Sequence, residues 1–131
     1  MCLDRPSPTG IAAYDALGPA MRNASPTFGP EFQYVPLVCS YWPVKPRGSV
    51  GPLVVTGAPP SLLVGGTGDP GTPYSWAVSV SRQIAGSVLL TRKGFGHTSY
   101  DKSLCVRQAV VAYLIDLRLP AQGIVCDSDV P

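Results

Sequence analysis

Two short apolar runs, each bounded by turn residues, stand out in the second half of the chain. Residues 61–64 read Ser-Leu-Leu-Val between Pro60 and a Gly-Gly pair, and residues 87–91 have three apolar residues at their centre. A short continuous apolar run between such turn signals is typical of a strand buried in a parallel sheet. The pattern therefore predicts two parallel strands.

The segment between these runs has the pattern of a helix. Thr72 is a suitable N-cap and Pro73 a suitable first helical residue, because proline lacks the N–H that the first turn leaves unpaired. Apolar residues then recur at every fourth position until Gly86 ends the helix: Trp76, Val80 and Ile84. A strand, a helix and a second strand predict a right-handed crossover between parallel neighbours.

Two further helices are predicted outside this unit. Residues 101–117 carry an apolar stripe that consists of Leu104, Ala109, Val110, Tyr113 and Leu114. Near the start of the chain, Thr9 is a suitable cap for a helix over residues 10–21, which Gly18-Pro19 interrupts. Residues 26–41 have aromatic side chains without a clear period, which predicts an irregular segment or a short helical turn.

Prolines and glycines concentrate at residues 43–59, which we interpret as a connector between residues 1–42 and an α/β core at residues 60–131. Only 14% of the residues are charged, against about 25% on average, and the net charge is +2. This composition argues against nucleic-acid binding, and no run of about 18 apolar residues is present to span a membrane.

The cysteines are Cys2, Cys39, Cys105 and Cys126. They favour disulfides over zinc, because no C-x-x-C pair occurs and the chain has 1 histidine. Of the possible pairings, Cys2 with Cys39 and Cys105 with Cys126 closes the shortest loops overall, and each bridge stabilises by about 3–4 kcal/mol. Disulfides indicate an oxidising compartment, but no apolar signal core follows Met1. We therefore expect a piece of a longer precursor or a truncated reading frame.

The candidate chemistry lies in two loops that follow the predicted strands. Asp69 follows the first strand and His97 the second, so both should lie at the same edge of the sheet, within hydrogen-bonding reach. A carboxylate paired to imidazole fixes the tautomer of a catalytic base. The order Asp then His is that of an α/β-hydrolase triad, but no G-x-S-x-G motif occurs in the sequence. An exposed aspartate and a lone histidine without a catalytic role are the alternative.

Residues 66–71 also match the dinucleotide motif G-x-G-x-x-G, with Arg92 and Lys93 as candidate ligands of a 2′-phosphate. Asp69 would place a negative charge where a pyrophosphate binds, so we disfavour this alternative and predict no cofactor. We expect Trp42 and Trp76 to lie in the core and Phe95 to pack beneath the loop that carries His97. The residues expected to be solvated surface charges are Lys45, Arg47, Arg92 and Lys93.

Several segments together resemble the C-terminal region of the secreted tripeptidyl-aminopeptidase-like hydrolases of bacteria. They are LLVGGTGDPGTPY at residues 62–74, GFGH at 94–97, SLCV at 103–106, CLD at 2–4 and CSYWP at 39–43. The resemblance implies the last parallel strands of an α/β-hydrolase fold with flanking helices, tied by disulfides. In that comparison residues 1–42 are the segment that returns from the lid to the core.

In that family, exported serine hydrolases remove short peptides from substrate N-termini or act as related esterases and peptidases. The resemblance implies that Asp69 is the triad acid and His97 the base, and it matches no position to the nucleophile. Peptide or ester substrates are expected if an N-terminal hydrolase half completes the site, in a secreted or cell-envelope location. A non-catalytic accessory module and one half of a split hydrolase are the alternatives.

Overall fold

The computed structural model describes residues 2–48, 51–52 and 54–129. The chain divides into two compact units, Met1–Gly51 and Pro52–Pro131, and the boundary falls within the proposed connector. No helix in the described part of the chain is both long and apolar enough to cross a membrane.

The first unit consists of short helices. They are α1 (Ile11–Asp15), α2 (Gly18–Ala24), α3 (Gly29–Phe32) and a 3₁₀ helix at Val35–Tyr41. The predicted helix over residues 10–21 is therefore two helices, and α2 begins at the Gly18-Pro19 pair because proline suits a first turn. Thr9 is not the cap of α1, whose N-cap is Gly10. Residues 26–41 are more helical than expected.

A buried tyrosine and a disulfide hold this unit together. Tyr14 is only 1% exposed, and its hydroxyl donates to the carbonyl of Pro36 at 3.0 Å. The amide of Gln33 donates to the Tyr14 carbonyl at 2.9 Å. The predicted Cys2–Cys39 disulfide is confirmed, with 5.0 Å between the Cα atoms.

The second unit contains a parallel sheet of three strands in the order β1-β2-β3. They are β1 (Leu62–Gly68), β2 (Val88–Phe95) and β3 (Val125–Asp127). The two predicted strands are confirmed as parallel neighbours, with Val64 opposite Leu90, and both extend further than their apolar runs. The short β3, which pairs with β2 through Arg92 and Cys126, was not predicted.

The helix between β1 and β2, α4 (Tyr74–Ser81), is shorter than predicted, and its N-cap is Pro73 rather than Thr72. It ends before Gly86 because the chain beyond it forms backbone hydrogen bonds with Val55, which bridges to Ile84. Trp76, on this helix, is 61% exposed and does not belong to the core, and Trp42 in the first unit is 49% exposed. The core prediction was wrong for both tryptophans.

The last helix, α5 (Leu104–Asp116), packs one face on the sheet. Ser103 caps it, accepting from the Val106 N–H at 3.4 Å. Val106 forms the buried core with Leu90 and Cys126, whereas Leu104 and Leu114 of the predicted stripe are exposed. The Cys105–Cys126 disulfide is confirmed, with 5.7 Å between Cα atoms, and it joins α5 to β3.

Candidate active site

Asp69 lies at the end of β1 in a loop that fixes its own carboxylate. One carboxylate oxygen, Oδ1, accepts from the backbone N–H groups of Gly71 at 2.8 Å and Thr72 at 2.9 Å. The other, Oδ2, accepts from the Thr72 hydroxyl at 2.8 Å. The residue is 9% exposed, so the loop holds a nearly buried carboxylate in one orientation.

His97 lies at the end of the neighbouring strand and meets this carboxylate. Its Nδ1 is 2.9 Å from Asp69 Oδ1 and 3.0 Å from Oδ2. The backbone N–H of Thr98 also donates to Oδ2 at 3.3 Å. The imidazole is 57% exposed, in contrast to the 5% exposed side chain of Asp69. The proximity expected from the sequence is therefore present in the structure.

The electrostatics of the pair favour an ionised acid. The backbone N–H of Thr72 is the main reason that the pKa of Asp69 lies well below its usual value, with further contributions from His97, the Thr72 hydroxyl and Gly71. Burial acts in the opposite direction but is outweighed. An ionised carboxylate accepts a hydrogen bond, so it favours the proton on Nδ1 and leaves Nε2 as the proton acceptor.

Glycines allow the two loops to approach each other. A Cβ atom on Gly71 would lie 3.0 Å from His97 Nδ1, which is closer than ordinary contact. In the loop that carries His97, residues 94–99, which we call the histidine loop, Gly94 and Gly96 have φ angles of 136° and 92° that glycine adopts readily. The Gly96 N–H donates to the Gly68 carbonyl at 3.0 Å and fastens this loop to the end of β1.

A cavity of about 330 Å³ opens beside the pair. Its lining comes from β1, both loops and α5, and includes Val64, Gly66, Asp69, His97, Tyr100 and Val110. The aspartate, the histidine and Tyr100 are thus the ionisable groups at an otherwise mainly apolar cavity, an arrangement in which an imidazole can exchange protons with a bound group.

The structure gives Arg92 and Phe95 places that sequence analysis did not predict. Arg92 is completely buried, so its assignment as a solvated charge was wrong, and Phe95 is 81% exposed rather than packed beneath the histidine loop. Both errors arise because β2 continues beyond residue 91. Side chains alternate between the faces of a strand, so an extended β2 places Arg92 on the same face as the buried Leu90. Lys45, Arg47 and Lys93 are exposed, as predicted.

The backbone N–H groups at the end of the G-x-G-x-x-G loop and directly after it are already engaged in hydrogen bonds. The N–H groups of Gly71 and Thr72, which would face a phosphate in a dinucleotide site, bind the Asp69 carboxylate instead. This occupancy agrees with the electrostatic argument against a phosphate ligand.

The sequence profile of the α/β-hydrolase family of TAP-like proteins matches residues 25–126. The chain is 34% identical to carboxylesterase B of Mycobacterium tuberculosis over 129 residues, which are 95% of this chain and 25% of that protein. It is 37% identical to the serine protease Hip1 of the same organism over 89 residues, 67% of this chain and 17% of that protein.

A tripeptidyl aminopeptidase of Streptomyces lividans is 27% identical over 127 residues, 95% of this chain and 24% of that protein. The chain thus spans a quarter or less of the length of these relatives. The residues matched by the family profile, 25–126, include both loops of the candidate site.

Proposed function

Since the chain belongs to the α/β-hydrolase family of TAP-like proteins, we propose that Asp69 and His97 are the acid and the base of a serine hydrolase triad. The observation that carries this proposal is the contact of 2.9 Å between Asp69 Oδ1 and His97 Nδ1. It joins residues 28 positions apart at the ends of adjacent parallel strands, where α/β proteins gather their functional groups.

In the proposed mechanism, Asp69 holds the Nδ1–H tautomer of His97, and Nε2 removes the proton from a serine hydroxyl as the hydroxyl attacks a carbonyl carbon. The carboxylate then stabilises the imidazolium, which returns the proton to the departing amine or alcohol. The serine belongs to a segment with the G-x-S-x-G motif, which these 131 residues do not contain. This chain supplies the proton-transfer half of the site.

The substrates we propose are peptides or esters, because the similar proteins are called a carboxylesterase, a serine protease and a tripeptidyl aminopeptidase. All three names describe transfer of an acyl group, for which one triad serves. The disulfides Cys2–Cys39 and Cys105–Cys126 support action in an oxidising compartment, either outside the cell or in its envelope.

The test is complementation with a separately expressed N-terminal segment of a TAP-like hydrolase that carries G-x-S-x-G. The chain alone should not hydrolyse tripeptidyl or short-chain ester substrates, and the mixture should hydrolyse them and react with a fluorophosphonate probe. His97→Ala should abolish turnover, and Asp69→Asn should lower kcat by about 10⁴-fold by favouring the wrong tautomer.

Lys93→Ala is the matched control and should leave turnover unchanged. Lys93 is an exposed residue of β2, the strand that leads to His97. Turnover that survives His97→Ala in the mixture would contradict the triad. Fluorophosphonate labelling of the chain alone, lost on His97→Ala, would place the nucleophile within these residues. Failure of any mixture to gain turnover would favour an accessory module without catalysis.

A further inference from the structure

Arg92 is a buried cation whose hydrogen-bond partners, within the described part of the chain, are all uncharged. It is 0% exposed, and its donors bind two backbone carbonyls and two serine hydroxyls. A buried guanidinium is costly to fold unless its donors are satisfied. Neutral oxygen atoms satisfy them here, and the location of those atoms suggests what the residue does.

Most of the partners of Arg92 belong to the histidine loop. Its Nη2 donates to the Gly96 carbonyl at 2.8 Å and its Nη1 to the Phe95 carbonyl at 3.3 Å, which are the two peptide groups directly before His97. Its Nε donates to the Ser99 hydroxyl at 3.2 Å, on the other side of the histidine. The guanidinium thus binds the loop on both sides of His97.

The remaining partner ties the same guanidinium to the C-terminal segment. Nη1 donates to the Ser128 hydroxyl, and the backbone N–H of Ser128 donates to the Lys93 carbonyl at 2.9 Å. Ser128 follows β3 directly and lies two residues after Cys126, which is bonded to α5. The arginine therefore connects the histidine loop to a segment that a disulfide holds in place.

The histidine loop needs such support because its backbone is not relaxed. Thr98, directly after His97, has a φ angle of 67°, which residues with a Cβ atom rarely adopt. Strained conformations persist only where surrounding contacts impose them. The Thr98 N–H donates to Asp69 Oδ2 at 3.3 Å, and Arg92 binds the peptide groups before His97 and the Ser99 hydroxyl after it.

We propose that Arg92 is the positioning residue of His97: its planar guanidinium fixes the loop carbonyls and thereby holds the imidazole against Asp69. A lysine could not reproduce this arrangement, because the ammonium is a point charge without the fork that reaches both the carbonyls and Ser99. The proposal rests on the proposed function only for the catalytic role of His97, since the positioning itself is a property of this chain.

The experiment measures the tautomer of His97 in the full chain by long-range ¹H–¹⁵N NMR, which is unambiguous because the chain has 1 histidine. In the parent protein the neutral imidazole should carry its proton on Nδ1. Arg92→Met should lower the ratio of the Nδ1–H to the Nε2–H tautomer by about tenfold, as expected for the loss of hydrogen bonds from a charged donor. Arg92→Lys should give an intermediate ratio.

Two controls separate positioning from general loss of stability. Arg118→Met makes the same substitution at an exposed arginine, whose side chain is 73% exposed, and should leave the tautomer ratio unchanged. Leu90→Val weakens the core on the same strand and face as Arg92, and it should lower the melting temperature while the ratio remains within about twofold of the parent.

If Arg92→Met does not fold, Ser99→Ala and Ser128→Ala replace it, because each removes one partner of the guanidinium and should lower the ratio by about threefold. A ratio unchanged in folded Arg92→Met, or in both serine variants, would overturn the proposal. So would an equal change in Leu90→Val. Because turnover is not measured, complementation can fail while the effect of Arg92 on His97 persists, and the two proposals remain distinguishable.

Discussion

The loop that carries Asp69, residues 69–72, which we call the acid loop, and the histidine loop meet at one edge of the sheet but are held in different ways. Asp69 is oriented mainly by Gly71 and Thr72, two and three positions along the chain. The histidine loop is held by Arg92 of β2 and also depends on distant segments: Thr67 accepts from the Gly94 N–H across 27 positions, and Ser128 accepts from Arg92 across 36. The acid is thus prepared by its own turn, whereas the position of the base depends on the assembled fold.

Removal of the Cys105–Cys126 disulfide should show most clearly that the two loops are held in different ways. The double variant Cys105→Ser with Cys126→Ser should lose about 3 kcal/mol of the free energy of unfolding in urea, because the bridge closes a loop of 21 residues. Release of the segment that carries Ser128 should lower the Nδ1–H fraction of His97. The amide signals of Gly71 and Thr72 should stay unchanged, and an equal change in both loops would show that the acid loop is not self-sufficient.

A smaller effect is expected from Gly94→Ala. A Cβ atom at this position would lie 2.4 Å from the Ser128 hydroxyl and 2.9 Å from Arg92 Nη1, in addition to the strain of a φ angle of 136°. Gly123→Ala is the control, because its φ angle is 75° and the space around it is open. Gly123→Ala should destabilise by about 1 kcal/mol from the backbone alone, and Gly94→Ala by about 1 kcal/mol more. Equal melting temperatures of the two variants would refute the close packing of Ser128 and Arg92 around Gly94.

The smallest effect should come from Thr72→Val, which removes the hydroxyl hydrogen bond to Asp69 and leaves both backbone donors. The folding equilibrium constant at neutral pH should fall by about fivefold. The pKa of Asp69 is lowered in the folded state, so its contribution to stability is complete above its unfolded pKa of about 3.9 and is lost as the pH falls through the lower folded value. The difference in folding equilibrium constant between Thr72→Val and the parent protein should therefore shrink as the pH is lowered. If this difference stays constant down to the acid transition, the Thr72 hydroxyl does not stabilise the ionised form of Asp69.

Much of the second unit was predictable from local patterns. Apolar runs bounded by glycine and proline identified β1 and β2, and their parallel order placed Asp69 and His97 at one edge. The pairing of cysteines that closes the shortest loops overall predicted both disulfides. The errors occurred where long-range contacts override local preference: a β-bridge to Val55 ends α4 early, and pairing with β2 makes residues 125–127 a strand.

The sequence by itself determined which residues form the acid and histidine loops, because the turn residues and the apolar runs beside them are local features of the chain. It determined the orientation of the Asp69 carboxylate almost completely, since the hydrogen-bond donors lie within three residues of Asp69. Only the tertiary structure decided that Arg92 is buried and that its guanidinium binds the carbonyls of Phe95 and Gly96. The reason is physical: a charged residue next to an apolar run is stable in water or in the interior, and the choice depends on acceptors that only the folded chain supplies. Here they are the carbonyls of the histidine loop and the Ser128 hydroxyl from 36 positions away.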